Sequence, residues 1–189
     1  GTIPGCWLGQ RQKVAYIAAE ESKRYVVKPG LRAVGADFDN VLFPTVTLAG
    51  ETQRILSITD EVALTEQFIE DGIRVVFVDP VMSTIGSNVD VHRNNEVRAY
   101  IEPWARMAEN IGGIVIGIVH LTKSPSGDVV AGVNGSSAFG EVARSVFGFA
   151  KDPDSEDGNR VMSQAKNSTG DEDLSISYAV QAVEITTDT

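Results

Sequence analysis

Arg74-Val75-Val76-Phe77-Val78-Asp79-Pro80 is the stretch on which the fold turns. Its apolar residues run without a polar interruption and are mostly β-branched. That pattern belongs to a strand buried on both faces, as in a parallel sheet, and differs from one alternating between core and water. The run stops at a carboxylate. In open parallel sheets ligands lie beyond the carboxyl ends of the strands, so Asp79 is the first candidate for chemistry. Its carboxylate could hold a magnesium ion or its water shell, or it could cap the following turn; the residue alone allows both.

On either side of it, two more apolar runs have the same character. Val14-Ala15-Tyr16-Ile17-Ala18 precedes the acidic pair Glu20-Glu21, and Ile114-Val115-Ile116-Gly117-Ile118-Val119 precedes His120. Between the runs lie helical patterns. Residues 20–34 suit a helix that Pro29 and Gly30 would kink or divide. Thr59-Asp60-Glu61-Val62 opens another, with Leu64, Phe68 and Ile69 near helical spacing and Gly72 as its stop. Residues 94–111 place Val97, Ile101, Trp104, Met107, Ala108 and Ile111 on one amphipathic face, closed by Gly112-Gly113. Short strands are expected at 41–46 and 54–59, and a short helix at 137–142. Three further strands follow at 145–150, 160–165 and 174–183. This alternation predicts one α/β domain spanning 1–189, with a largely parallel sheet finished by antiparallel strands.

Composition narrows the function classes. The chain has 189 residues, a formal net charge of −10 and a single cysteine, Cys6. An internal disulfide is impossible, and no Cys/His spacing suits zinc. No apolar run is long enough to cross a bilayer, no basic stretch with an apolar core opens the chain, and the cytosol is the expected compartment. So acidic a chain is not coated for nonspecific DNA binding, although a basic loop or pore remains compatible with it. The acidic stretches KDPDSEDGNR (151–160) and GDED (170–173) read as solvated loops.

The residues ending the buried strands have two readings each. Glu20 and Glu21 could orient or deprotonate a water beside a magnesium-bound nucleotide, or simply open a helix with favourable charge. His120, followed by Thr122 and Lys123, could contact a phosphate or serve as hydrogen-bonded structure. Arg144, beyond the short helix, could act at a site or pair on the surface.

Taken in order, VAYIAAEES (14–22), GLRAVGADFDNV (30–41), RVVFVDPVMSTIG (74–86), NNEVRAYIEPWARMAENIGGIVIGIVHLTKS (94–124), NGSSAFGEVARSVFGFAKDPD (134–154) and RVMSQAKNSTG (160–170) resemble the RepA-like branch of the RecA-type P-loop ATPases. The resemblance covers nearly the whole chain and implies a three-layer RecA-like domain that hydrolyses ATP with Mg2+. It makes Glu20 the activator of the attacking water, with Glu21 beside it at the nucleotide. Asp79 becomes the Walker B aspartate on the magnesium side, His120 the polar sensor and Lys123 a nucleotide-side residue in the loop beyond. Arg144 is implied as an arginine finger reaching the neighbouring subunit's nucleotide, and Lys166 as a second basic contact from the same side. The resemblance further implies a ring, hexameric in that family, acting in DNA replication or recombination as a helicase-like motor. Loops 83–93 and 123–134 would then face a channel for single-stranded DNA. Their own charge, with His92, Arg93 and Lys123 against Asp90 and Asp128, is only mildly basic.

One departure stands out. The phosphate-binding loop GxxxxGK[ST] is absent, since none of the eighteen glycines opens that pattern. The family carries it on a strand–loop–helix unit of roughly 30 residues immediately upstream of the position of Gly1. The loop's backbone N–H groups and Lys supply most of the phosphate binding. The 189 residues alone are therefore expected to be nearly inactive, with a sheet lacking one central strand and exposing apolar surface there. Gly30 also stands where relatives often carry Arg. The competing reading is a noncatalytic interaction module that keeps a degenerate RecA-like fold. An α/β-hydrolase is disfavoured because no G-x-S-x-G elbow occurs.

Overall fold

A computed structural model describes residues 6–18, 21–44, 46–48, 51–54, 61–84, 94–120 and 138–186, with backbone only at 46–48 and 51–54. These residues form two compact units, one drawn from Gly1–Ser87 and Pro103–Val119, the other from Asn88–Glu102 and His120–Thr186. The chain passes between them inside one helix, next to Pro103.

In the first unit β1 (Lys13–Ala18) leads to a wide π-helical turn, Lys23–Val27, and then to α1 (Lys28–Ala33). The expected helix over 20–34 is thus divided. Pro29 is the second residue of α1, and the turn before it is already helical, with Lys28 N–H donating to the Lys23 carbonyl. Then come β2 (Val41–Leu42), β3 (Val46–Leu48) and β4 (Glu51–Arg54), followed by α2 (Glu61–Asp71), β5 (Ile73–Asp79) and a single 3₁₀ turn at Val81–Thr84. Next are α3 (Asn94–Asn110) and β6 (Ile114–Gly117). Gly72 and Gly112, at φ 70° and 56°, end α2 and α3 in the left-handed conformation that glycine adopts without strain.

Four strands make a parallel sheet in the order β2-β1-β5-β6. Strand β5 is one of the two inner strands, with Ile73, Val76 and Val78 buried. Phe68 of α2, fully buried, lies on the helix that packs against this strand. Ala15, Ile17, Met107 and Ile111 are also buried in this unit. Since all four strands run in one direction, their carboxyl ends share an edge. Ala18 of β1 stands beside Asp79, and Gly117 of β6 beside Val78.

Two expectations change. The strand at 114–119 ends at Gly117 and is not buried on both faces. Among the described residues β6 pairs only with β5, so it forms the sheet's edge and leaves Ile114 and Ile116 exposed. Residues 46–54, read partly as isolated extended segments, contain an antiparallel pair, β3 with β4; residues 55–59 lie outside the described residues.

The second unit holds the first half of α3, α4 (Ala138–Val142), β7 (Ser145–Lys151), β8 (Arg160–Asn167) and β9 (Ser175–Tyr178). The last three form an antiparallel sheet in sequence order. The strand expected at 174–183 stops at Tyr178, because Tyr178 pairs with Arg160, the first residue of β8, and no partner remains beyond it. Within this unit Arg98 bonds Glu102 one turn away (2.6 Å) and reaches Glu141 of α4 (3.6 Å).

Candidate functional site

The carboxyl edge of the parallel sheet places Asp79 where the sequence expected it, at the last residue of β5 and partly buried. The side chain that holds it was not foreseen. Tyr16 pairs with Phe77, two residues before the Asp79 register, so side-chain alternation puts Tyr16, Phe77 and Asp79 on one face. The Tyr16 hydroxyl donates to Asp79 Oδ2 at 2.6 Å. Its ring stacks on Phe77 with centroids 5.7 Å apart and meets Phe43 at 6.2 Å, which fixes the hydroxyl's direction. The phenol is pushed well above the ordinary tyrosine range, first by burial, then by the hydrogen bond to Asp79 and its charge, and lastly by the charge of Glu21. At neutral pH Tyr16 is therefore a fixed donor, and Asp79 Oδ1 faces no other partner among the described residues.

Such a carboxylate suits magnesium in a limited way. Mg2+ is typically held by one or two protein carboxylates together with substrate phosphates and waters. Asp79 offers one hard oxygen with its other oxygen anchored. Among the described residues no three His, Cys, Asp or Glu side chains converge. Glu21, exposed, lies just past β1 and close enough for its charge to act on Tyr16. The segment after Asp79 is pinned from below: Thr84 Oγ1 donates to the Val81 carbonyl at 2.7 Å and accepts from Trp104 Nε1 at 3.4 Å.

The remaining candidates fall in the second unit or outside the described residues. Glu20 and Lys123 are outside them, as are residues 85–93 of the first loop expected to line a channel and all of the second, 123–134. His120 is exposed, with no side-chain partner among the described residues. Arg144 is likewise exposed and its guanidinium binds none of the described residues. Lys166, expected to contact a neighbour's nucleotide, is bonded within its own unit. Its ammonium donates to the carbonyls of Gly140 (2.7 Å), Glu141 (3.2 Å) and Ala143 (2.9 Å), which accounts for all three of its protons. In this arrangement it has no donor left for a phosphate.

Among the described residues no helix is long and apolar enough to cross a membrane. Comparison with known proteins gives a family and a fold. An AAA domain family matches residues 3–126. Among solved structures, one described as an ATPase domain superposes with a TM-score of 0.64 at 16% identity, covering 88% of this chain and 70% of that one. No curated protein matches the sequence. The four-stranded parallel sheet, the separate antiparallel sheet and the superposition give this protein the α/β fold of a RecA-like ATPase domain, and the match across 3–126 makes the chain a member of the AAA domain family.

Proposed function

We propose that the chain is the core of an ATP-hydrolysing motor of the RepA-like type, working as a single domain within a ring, hexameric by resemblance, on single-stranded DNA in replication or recombination. The observation that carries the reading is Asp79, set at the carboxyl end of an inner parallel strand with one oxygen anchored by Tyr16 and the other without a partner among the described residues. Family membership and the likeness to a domain described as an ATPase support the same chemistry.

In this reading the roles divide by charge. Magnesium, when bound with ATP, neutralises charge on the β- and γ-phosphates. Asp79 holds the ion's protein side, directly or through its water. Glu20 orients the attacking water and takes its proton, with Glu21 adding negative charge nearby. His120 senses the γ-phosphate position and Lys123 assists in the loop beyond it. Arg144, an exposed cation without an internal partner among the described residues, reaches a neighbouring subunit's phosphates. Lys166 is left out of that trans contact because its donors are already used. The 189 residues, which do not carry the GxxxxGK[ST] phosphate-binding pattern, hydrolyse ATP very slowly on their own.

The test is a magnesium titration of ATP hydrolysis by the protein carrying this chain together with its phosphate-binding loop, wild type beside Asp79→Asn. The rate of the variant should fall by about 10²-fold or more, with a higher magnesium requirement. An unchanged rate and magnesium requirement would remove Asp79 from the site. A wild-type protein that neither binds nor hydrolyses ATP would favour the noncatalytic module.

A further inference from the structure

The three bonds of Lys166 converge on the end of α4, immediately before Arg144. A helix leaves its last carbonyls without intrahelical donors, and its C-terminus carries partial negative charge. Here the Phe139 carbonyl is satisfied by Ala143 N–H (3.1 Å), while those of Gly140, Glu141 and Ala143 are the ones Lys166 takes. One ammonium therefore closes the helix end.

The strand is built to aim that side chain. Phe147 pairs with Gln164 but Val146 pairs with Lys166, so Ala165 is an extra residue on β8. A bulge of this kind turns the side chains that follow it. Two residues on, Ser168 N–H donates to the Arg144 carbonyl at 2.9 Å. Asn167 between them organises its own turn, accepting from Thr169 N–H (3.1 Å) and donating to the Asp171 carbonyl (3.0 Å). The carbonyls on both sides of the Arg144 Cα, those of Ala143 and Arg144, are thus held by Lys166 and Ser168, while the guanidinium stays exposed and unpartnered among the described residues.

We infer that Lys166 is a positioning residue, which fixes the backbone at Arg144 and so presents its guanidinium outward to the neighbouring subunit. This rests on the reading of Arg144 as the trans arginine. It assigns Lys166 an action through Arg144 within its own subunit and no contact with nucleotide.

A double-mutant cycle on ATP hydrolysis by the full-length protein decides the matter, using Arg144→Ala, Lys166→Met and the two combined. Met keeps the stem and removes the donors. Arg144→Ala should lower kcat by about 10³-fold or more. Lys166→Met should lower kcat by about 10- to 100-fold, the scale of a misplaced catalytic group, with KM for ATP little changed. The double variant should match Arg144→Ala within about twofold, because a positioning residue has nothing left to position. Ser168→Pro, which removes one N–H and no charge, should reproduce the kcat loss and covers the case in which Lys166→Met does not fold. A double variant well below Arg144→Ala, or single variants at Lys166 and Ser168 with wild-type kcat, would overturn the inference. If instead Arg144→Ala hydrolyses ATP at the wild-type rate, it is the trans-arginine reading that fails.

Discussion

Replacing Tyr16 by Phe removes one hydroxyl and leaves the ring on Phe77 and against Phe43, so the variant isolates the bond to Asp79. Hydrogen bonds to charged groups contribute about 1.5–3 kcal/mol. The pair is only partly buried, and water can solvate Asp79 once the hydroxyl is gone, which points to the lower end, about 1–1.5 kcal/mol. For a chain of this size that corresponds to a fall in Tm of about 2–6 °C. The pH dependence has a definite sign. Burial, the bond to Asp79, and the charges of Asp79 and Glu21 all raise the phenol in the folded state. The stabilisation is therefore full below the unfolded tyrosine value of about 10 and declines as pH rises from there toward the folded value. Urea unfolding of both proteins at about pH 7 and about pH 11 measures both effects. The wild type should be the more stable at neutral pH, and the gap should narrow in the alkaline arm. A Tyr16→Phe protein as stable as wild type at neutral pH, or a gap that does not change with pH, would disprove this role of the hydroxyl.

Two further variants probe the frame and the site. In Gly113→Ala the added Cβ would meet the Arg74 backbone carbonyl well inside van der Waals contact, so β5 and β6 must part; a loss of about 3 kcal/mol and a lower urea midpoint are expected. Asp79→Asn should fold with stability within about 1 kcal/mol of wild type, because the Tyr16 hydroxyl can still donate to the amide oxygen, and this separates its effect on hydrolysis from any effect on folding.

Much of the fold was legible because it was local. The apolar run ending at Asp79, the amphipathic spacing from Val97 to Ile111 and the glycine stops at Gly72 and Gly112 each depend on neighbours in sequence, and each is found. What escaped depends on pairing. Tyr16 read as one more apolar residue of its strand; only the parallel register with β5 brings its hydroxyl to Asp79. A polar tip inside an otherwise apolar run was the one available signal. The β3–β4 pair joins segments whose residues, such as Thr52 and Gln53, show no apolar alternation. Lys166 could not be placed from sequence because its aim is set by a bulge at Ala165, a feature of two strands together. The edge character of β6 was likewise hidden, since an apolar run does not reveal how many neighbours its strand has.

As proposed, this domain turns over ATP by water attack under a carboxylate base, and Glu20 is that base. The decisive measurement is steady-state ATP hydrolysis by the full-length protein, with and without single-stranded DNA, wild type beside Glu20→Gln. Activity should rise with DNA and fall by about 10²- to 10⁴-fold in the variant. Hydrolysis indifferent to Glu20→Gln, or absent in the wild type, would contradict the proposal.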